Sequence, residues 1–156
     1  MSSLTAVPRR RGAAFGRPAL ALLGTTAAVL AAAAPSGAKT SPIVKASKNA
    51  ALGKTLVVTR AGRTLYRLAP ETSRRLLCTG ACLSAWPPLT VASSKTKLVA
   101  GAGVTGKLGL VRRGTRFQVT LRGAPLYTFV GDTAKGQATG EGIASFGGVW
   151  HVVPAK

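Results

Sequence analysis

Short apolar runs alternate with polar, glycine-bearing breaks along the chain, and after residue 38 no 3.6-residue period is sustained. Leu56-Val57-Val58-Thr59 and Thr64-Leu65-Tyr66-Arg67-Leu68 are β-prone runs on either side of Arg60-Ala61-Gly62-Arg63, which predicts a hairpin. Phe117-Gln118-Val119-Thr120-Leu121 and Pro125-Leu126-Tyr127-Thr128-Phe129 repeat the pattern around Arg122-Gly123. Leu108-Gly109-Leu110-Val111 reads as a further strand, turning at Arg113-Gly114-Thr115 into the Phe117 run. Each hairpin leads into a polar loop that ends at a tryptophan, Trp86 or Trp150, and the residues after it predict a closing strand. Pro87 and Pro88 restrict the first of these to an edge or an irregular form, because proline cannot donate to a ladder. The expected fold is all-β: two short tandem hairpin-based modules packed into one small domain. A module of about 50 residues buries too little surface alone, whereas two can share a core.

The repeat itself has a sequence signature. Gly62 to Glu71 and Gly123 to Asp132 both read Gly-x-x-Leu-Tyr-x-apolar-x-x-acid, 61 positions apart. Repeat one spans about 52–98 and repeat two about 99–156, preceded by a Lys-, Ser- and Ala-rich stretch, 39–51, expected to be a flexible linker. Tyr66 with Leu68, and Tyr127 with Phe129, are two residues apart and so share one face of their strands. That face is either a core face or an aromatic platform for a ligand. Glu71 and Asp132 fall where each strand should turn; a carboxylate there accepts turn N–H groups and pairs with nearby cations, or else holds a ligand. Trp86 and Trp150 either fill the core beneath the loops or stack on carbohydrate.

Charge alters the picture of what surrounds this domain. The chain has 22 Lys and Arg against 3 Asp and Glu, a formal net charge of +19. Arg9, Arg10, Arg11 and Arg17 precede an apolar run from Ala19 to Ala34, and Pro35-Ser36-Gly37-Ala38 supplies small residues for cleavage. This predicts an N-terminal signal helix, 1–38, and export to a secreted, periplasmic or envelope-associated location. No cysteine lies near the cleavage point, so no lipid anchor is expected there. Eighteen Lys and Arg then remain against Glu71, Asp132 and Glu141, a formal charge of +15. Such a charge favours polyanions, here anionic envelope polymers or lipid head groups. Specific nucleic-acid binding is not expected, since no aromatic residues interleave with the cations. The protein is read as a monomer.

Several motifs suggest chemistry and fall short of it. Gly101-Ala102-Gly103-Val104-Thr105-Gly106-Lys107-Leu108 resembles a phosphate-binding loop but has Leu108 where magnesium needs a hydroxyl, and a strand-like run follows instead of a helix. Ser145, His151 and Asp132 make a triad only on paper, because no nucleophile turn or oxyanion loop accompanies them. No catalytic residues, cofactor or metal site are assigned, and a non-enzymatic module is expected. Cys78 and Cys82 predict a disulfide outside the cytoplasm, worth about 2 kcal/mol for so small a ring. The alternative reading of the pair is a redox or metal-binding module, with Asp132 or His151 as further ligands.

Taken together, these residues resemble a bacterial secreted-repeat family defined by Tyr-x-x-x-x-Asp, also written Tyr-x-aromatic-x-x-Asp, whose members are often described as lipoproteins. Repeat two carries the motif in Pro125-Leu126-Tyr127, Phe129 and Gly131-Asp132, with Gly147-Gly148 and Trp150 beyond it. Repeat one matches through Gly62, Thr64-Leu65-Tyr66, Cys78-Thr79-Gly80-Ala81-Cys82 and Trp86-Pro87-Pro88-Leu89. The resemblance implies an exported, repeat-built protein of uncharacterised activity. Glu71 stands where the family motif has Asp, Leu68 where it prefers an aromatic, and Arg113 at a place often acidic.

Overall fold

A computed structural model describes residues 40–156, and the signal helix expected over 1–38 lies outside them. The described elements are, in order, β1 (Val44–Asn49), β2 (Lys54–Thr59), β3 (Tyr66–Ala69), α1 (Cys82–Ala85), β4 (Thr90–Val91), β5 (Leu108–Arg113), β6 (Arg116–Leu121), β7 (Ala124–Pro125), β8 (Ala144–Ser145) and β9 (Gly148–Val152). The fold is all-β as the alternation predicts, save for the single helical turn α1 that follows the Cys78 loop.

The β5–β6 hairpin forms where expected, paired from Leu108↔Leu121 to Arg113↔Arg116 around Gly114, whose φ of 60° suits glycine. Its counterpart in repeat one is β1–β2, paired from Val44↔Thr59 to Asn49↔Lys54. Residues 44–49 are therefore a strand and not the expected linker. Lys45, Ser47 and Lys48 gave the stretch the composition of a tether, but only Val44 and Asn49 within it are fully buried. The hairpins expected around Gly62 and Gly123 are correspondingly brief. Leu65 N donates to Val57 O and Leu126 N to Val119 O, each at 3.0 Å, after which the chain turns away to the other repeat.

That departure organises the molecule. Tyr66 and Tyr127 exchange both main-chain hydrogen bonds, at 2.8 and 2.9 Å, so the two repeats meet back to back at their motif tyrosines. Beyond this point each repeat completes the other. β9 of repeat two pairs antiparallel with β3 of repeat one, setting Tyr66 opposite Val152 and Leu68 opposite Trp150. β4 of repeat one pairs with β6 of repeat two, setting Thr90 opposite Gln118. The equivalent contacts of the opposite sense are single bridges, Tyr127↔Pro88 and Leu56↔Pro154. Proline at both places removes the donor that would extend a ladder. The tryptophan segments are closing strands, as predicted, but each closes its neighbour. The segment between the repeats is also engaged: Gly101 N donates to Val44 O and Val99 O accepts from Ile43 N, both at 2.8 Å.

Two apolar clusters result, and each draws on both repeats. β2 divides them, directing Leu56 into the one that contains Tyr66, Trp86, Tyr127 and Trp150, and Val57 into the one that contains Leu65, Leu126 and Val153. Leu65 and Leu126 hold equivalent positions and are both fully buried, each contributing about 2 kcal/mol by removal from water. The first cluster surrounds the motif residues.

Candidate functional site

At the centre of the first cluster the rings of Trp86 and Trp150 stack at 3.8 Å with an interplanar angle of 4°. Phe129 stacks on the far face of Trp86 at 4.3 Å. Tyr66 meets Trp86 edge-on at 5.3 Å, and Tyr127 meets Trp150 edge-on at 5.1 Å. Edge-to-face and stacked contacts of this kind add to the stabilisation from burial alone. Both tyrosines and both tryptophans are fully buried, and Phe129 is half-buried against them. A ligand could stack on the four buried rings only by opening the core.

The motif acids are bonded across the repeats. Tyr66 of repeat one donates its phenol O–H to Asp132 Oδ2 of repeat two at 2.7 Å. Tyr127 of repeat two donates to Glu71 Oε1 of repeat one at 3.0 Å. Each carboxyl also fastens the loop that follows it. Asp132 Oδ1 accepts from Thr139 N at 2.9 Å and Thr139 Oγ1 at 2.7 Å. Glu71 Oε1 accepts from Leu77 N at 2.8 Å and Cys78 N at 3.2 Å. The acids thus reach amides six and seven positions ahead, farther than the local turn contact the sequence suggested. Gly140 lies against this arrangement, its N–H donating to Tyr66 Oη, and a Cβ there would come within 2.7 Å of Trp86. Glycine is required by that approach.

The two halves differ in how the acid is balanced. Arg113 lies 3.9 Å from Glu71 and donates to Tyr127 Oη, Cys78 O and Gln118 Oε1. Gln118 is itself fully buried and donates to Leu126 O. Glu71 and Arg113, the two charged departures from the family pattern, therefore meet in space. The expected ion pairing holds for Glu71; Asp132 has no such partner among the described residues and is held by neutral donors. Glu71 Oε2 is buried and accepts no hydrogen bond within the protein. Asn49 occupies in β1 the place of Arg113 in β5, and likewise crosses to the opposite loop, donating to Gly136 O at 2.7 Å. Sequence reading missed Arg113, Gln118 and Asn49 as members of this cluster. Gln118 left a trace as a polar side chain inside a β-prone run, and Arg113 as a cation at a place often acidic; Asn49 left none.

Burial, and then the hydrogen bond to Asp132, raise the Tyr66 phenol well above its ordinary value. Burial, and then the charge of Glu71, do the same for Tyr127. A phenol whose folded pKa lies above its unfolded value of about 10 stabilises the fold fully below that pH and ceases to do so as pH rises beyond it. The protein is therefore expected to unfold in alkali, with both tyrosines ionising during unfolding. Since the chain has only 2 tyrosines, tyrosinate absorbance reads them directly; a titration near pH 10 with tertiary structure intact would contradict this. Tyr66→Phe leaves Asp132 Oδ2 and Gly140 N without their partner. It is expected to cost about 1–3 kcal/mol, measured by urea unfolding; no loss of stability would contradict the role given to that bond.

The remaining candidates lie elsewhere. Cys78 and Cys82 form a disulfide and are buried. Ser145 Oγ accepts from Trp150 Nε1, and His151 Nδ1 lies 3.1 Å from Glu141, so the paper triad with Asp132 has each member in a different set of bonds. Burial pushes the Glu141 carboxyl up, but the Val152 N–H and His151 outweigh it and hold the group below its ordinary range. Among the described residues no group of three or more His, Cys, Asp or Glu is placed to hold a metal ion.

Residues 113–154 match a family model described as a secreted repeat of unknown function. This is the family the motifs resemble, and the matched span covers β6 to β9. No curated protein and no solved structure matches the chain. Among the described residues no helix is long and apolar enough to cross a membrane.

Proposed function

We propose that this protein is an exported, non-enzymatic binding module of the cell envelope that holds anionic polymers or lipid head groups on a basic surface. One observation carries the reading: the fold takes two of the three acids off the surface. The side chain of Glu71 has no exposed area, Asp132 is fully buried, and Glu141 is engaged with His151 and the Val152 N–H. Of the cations, Arg113 alone is ion-paired among the described residues. The exterior is therefore even more one-signed than the sequence total suggests. Such a surface raises local polyanion concentration and speeds encounter. The second reading, a redox or metal-binding module, is less favoured because Cys78 and Cys82 are closed in a buried disulfide.

Attraction of this kind is screened by salt, since the Debye length falls from about 10 Å at 0.1 M to about 3 Å at 1 M. Retention on an anionic matrix should accordingly fall steeply with ionic strength. Retention that ignores salt would overturn the proposal.

A further inference from the structure

Five cations line one group of neighbouring depressions. Three adjoining depressions, of about 450, 460 and 300 Å³, all have Arg122 in their walls. Arg67 and Lys156 line the first, Arg74 the second and Lys107 the third. Ala124 is shared by the first and second, and Gly123 and Ser73 by the second and third, so the depressions lie side by side. Glu71 borders the second, but its side chain has no exposed surface and its carboxyl faces the core. The track therefore presents cations and no exposed acid.

Arg122 occupies an unusual backbone position for such a residue. It opens the two-residue turn between Leu121 and Ala124, with φ of 52° followed by 81° at Gly123. That turn favours Asn or Gly first, because a Cβ is strained in the left-handed region. Strain kept at a surface arginine directs attention to what the side chain does. Its guanidinium is held in place by Thr105 O at 2.9 Å and Pro154 O at 2.7 Å, one bond from each terminal nitrogen. A guanidinium has five N–H donors, so two such bonds leave others for a ligand.

Resting on the polyanion reading above, we propose that this track is the binding site and that its ligand is a linear polymer of bridging phosphates, each with one negative charge. Successive phosphates would lie in successive depressions, with Arg122 as the shared central contact. Each bridging phosphate offers two non-bridging oxygens to the arginine fork and keeps its charge throughout the ordinary pH range. A lipid head group carries the same anion, but a flat bilayer presents it to projecting cations and not along a continuous track.

The test measures binding of inorganic polyphosphate, whose internal phosphates each present one charge, across a salt series. Phosphatidylglycerol vesicles form a parallel arm. Arg122→Asn suits the turn, and Arg74→Gln with Lys156→Gln spares the Arg122 clamp. Lys95→Gln with Lys97→Gln removes equal charge from exposed positions lining none of the three depressions. Thermal unfolding confirms that each variant is folded. The track variants should lower the salt slope by about 0.7 for each cation removed, the value for single-stranded polyanions, and weaken binding far more than the Lys95/Lys97 pair does. Equal losses in both sets would overturn the track while leaving a diffuse basic surface. Binding to vesicles without binding to polyphosphate would overturn the linear ligand. No binding to either by the unaltered protein would overturn both proposals.

Discussion

Divided into residues 40–98 and 99–156, the protein will not fold as either half, and mixing the halves will restore its tertiary circular dichroism. The first fragment holds β3 without β9, and the second holds β6 without β4. Asp132 would lose the Tyr66 phenol, and Glu71 would lose both Tyr127 and Arg113. Buried polar groups stripped of partners cost about 1–3 kcal/mol each, on top of the two cores, each of which would be divided between the fragments. Folded domains commonly retain only about 5–15 kcal/mol in total. The matched family unit, 113–154, contains β9 with its two-residue partner β8 but lacks β3, along which β9 makes its longer ladder, so a single repeat as matched is not expected to fold alone. Cooperative thermal unfolding of the 99–156 fragment alone would contradict this account.

Trp86→Ala should cost about 3–5 kcal/mol, the range for losing a large buried aromatic. The indole packs between Trp150 and Phe129 and meets Tyr66 edge-on, so its loss opens a cavity against three rings at once. Trp150→Ala should cost a similar amount, since it removes the other member of the stack and the edge contact with Tyr127. The double variant should lose less than the two single losses combined, because the stacked contact would be counted twice. Urea unfolding measures all three. A loss for Trp86→Ala no greater than the roughly 0.5 kcal/mol of an ordinary surface change would contradict the packing described.

Much of this was legible in the sequence, and what escaped has a common cause. Alternation placed Tyr66 with Leu68 and Tyr127 with Phe129 on shared faces, and the four buried rings lie in one core cluster. Arg113-Gly114-Thr115 was readable as a turn because glycine there relieves a left-handed backbone. Partner choice was not readable. Period two reports which face a residue takes and is silent on the strand beside it, so the segment from Trp150 could be foreseen as a closing strand but not as the partner of β3. For the same reason Leu56 to Thr59 was given its hairpin to Thr64, when its longer ladder runs to β1. Composition misled at 39–51, since a strand with much of its length at the surface is free to carry lysine and serine. Arg113 stood out only as a residue of the wrong sign, and the reason became visible when Glu71 was found beside it.

The crossed hydrogen bonds also set the order in which the molecule can assemble. Tyr66 and Asp132 are separated by 66 positions, Tyr66 and Gly140 by 74, and Asn49 and Gly136 by 87. Loop closure over such spans must occur before any of these contacts contributes, which places the domain among slow-folding, high-contact-order topologies. Repeat one cannot become native while repeat two is still absent, because β3 waits for Gly148–Val152. A chain emerging from its N-terminal end can pair β1 with β2 early, but it can complete neither apolar cluster until the last strand is available.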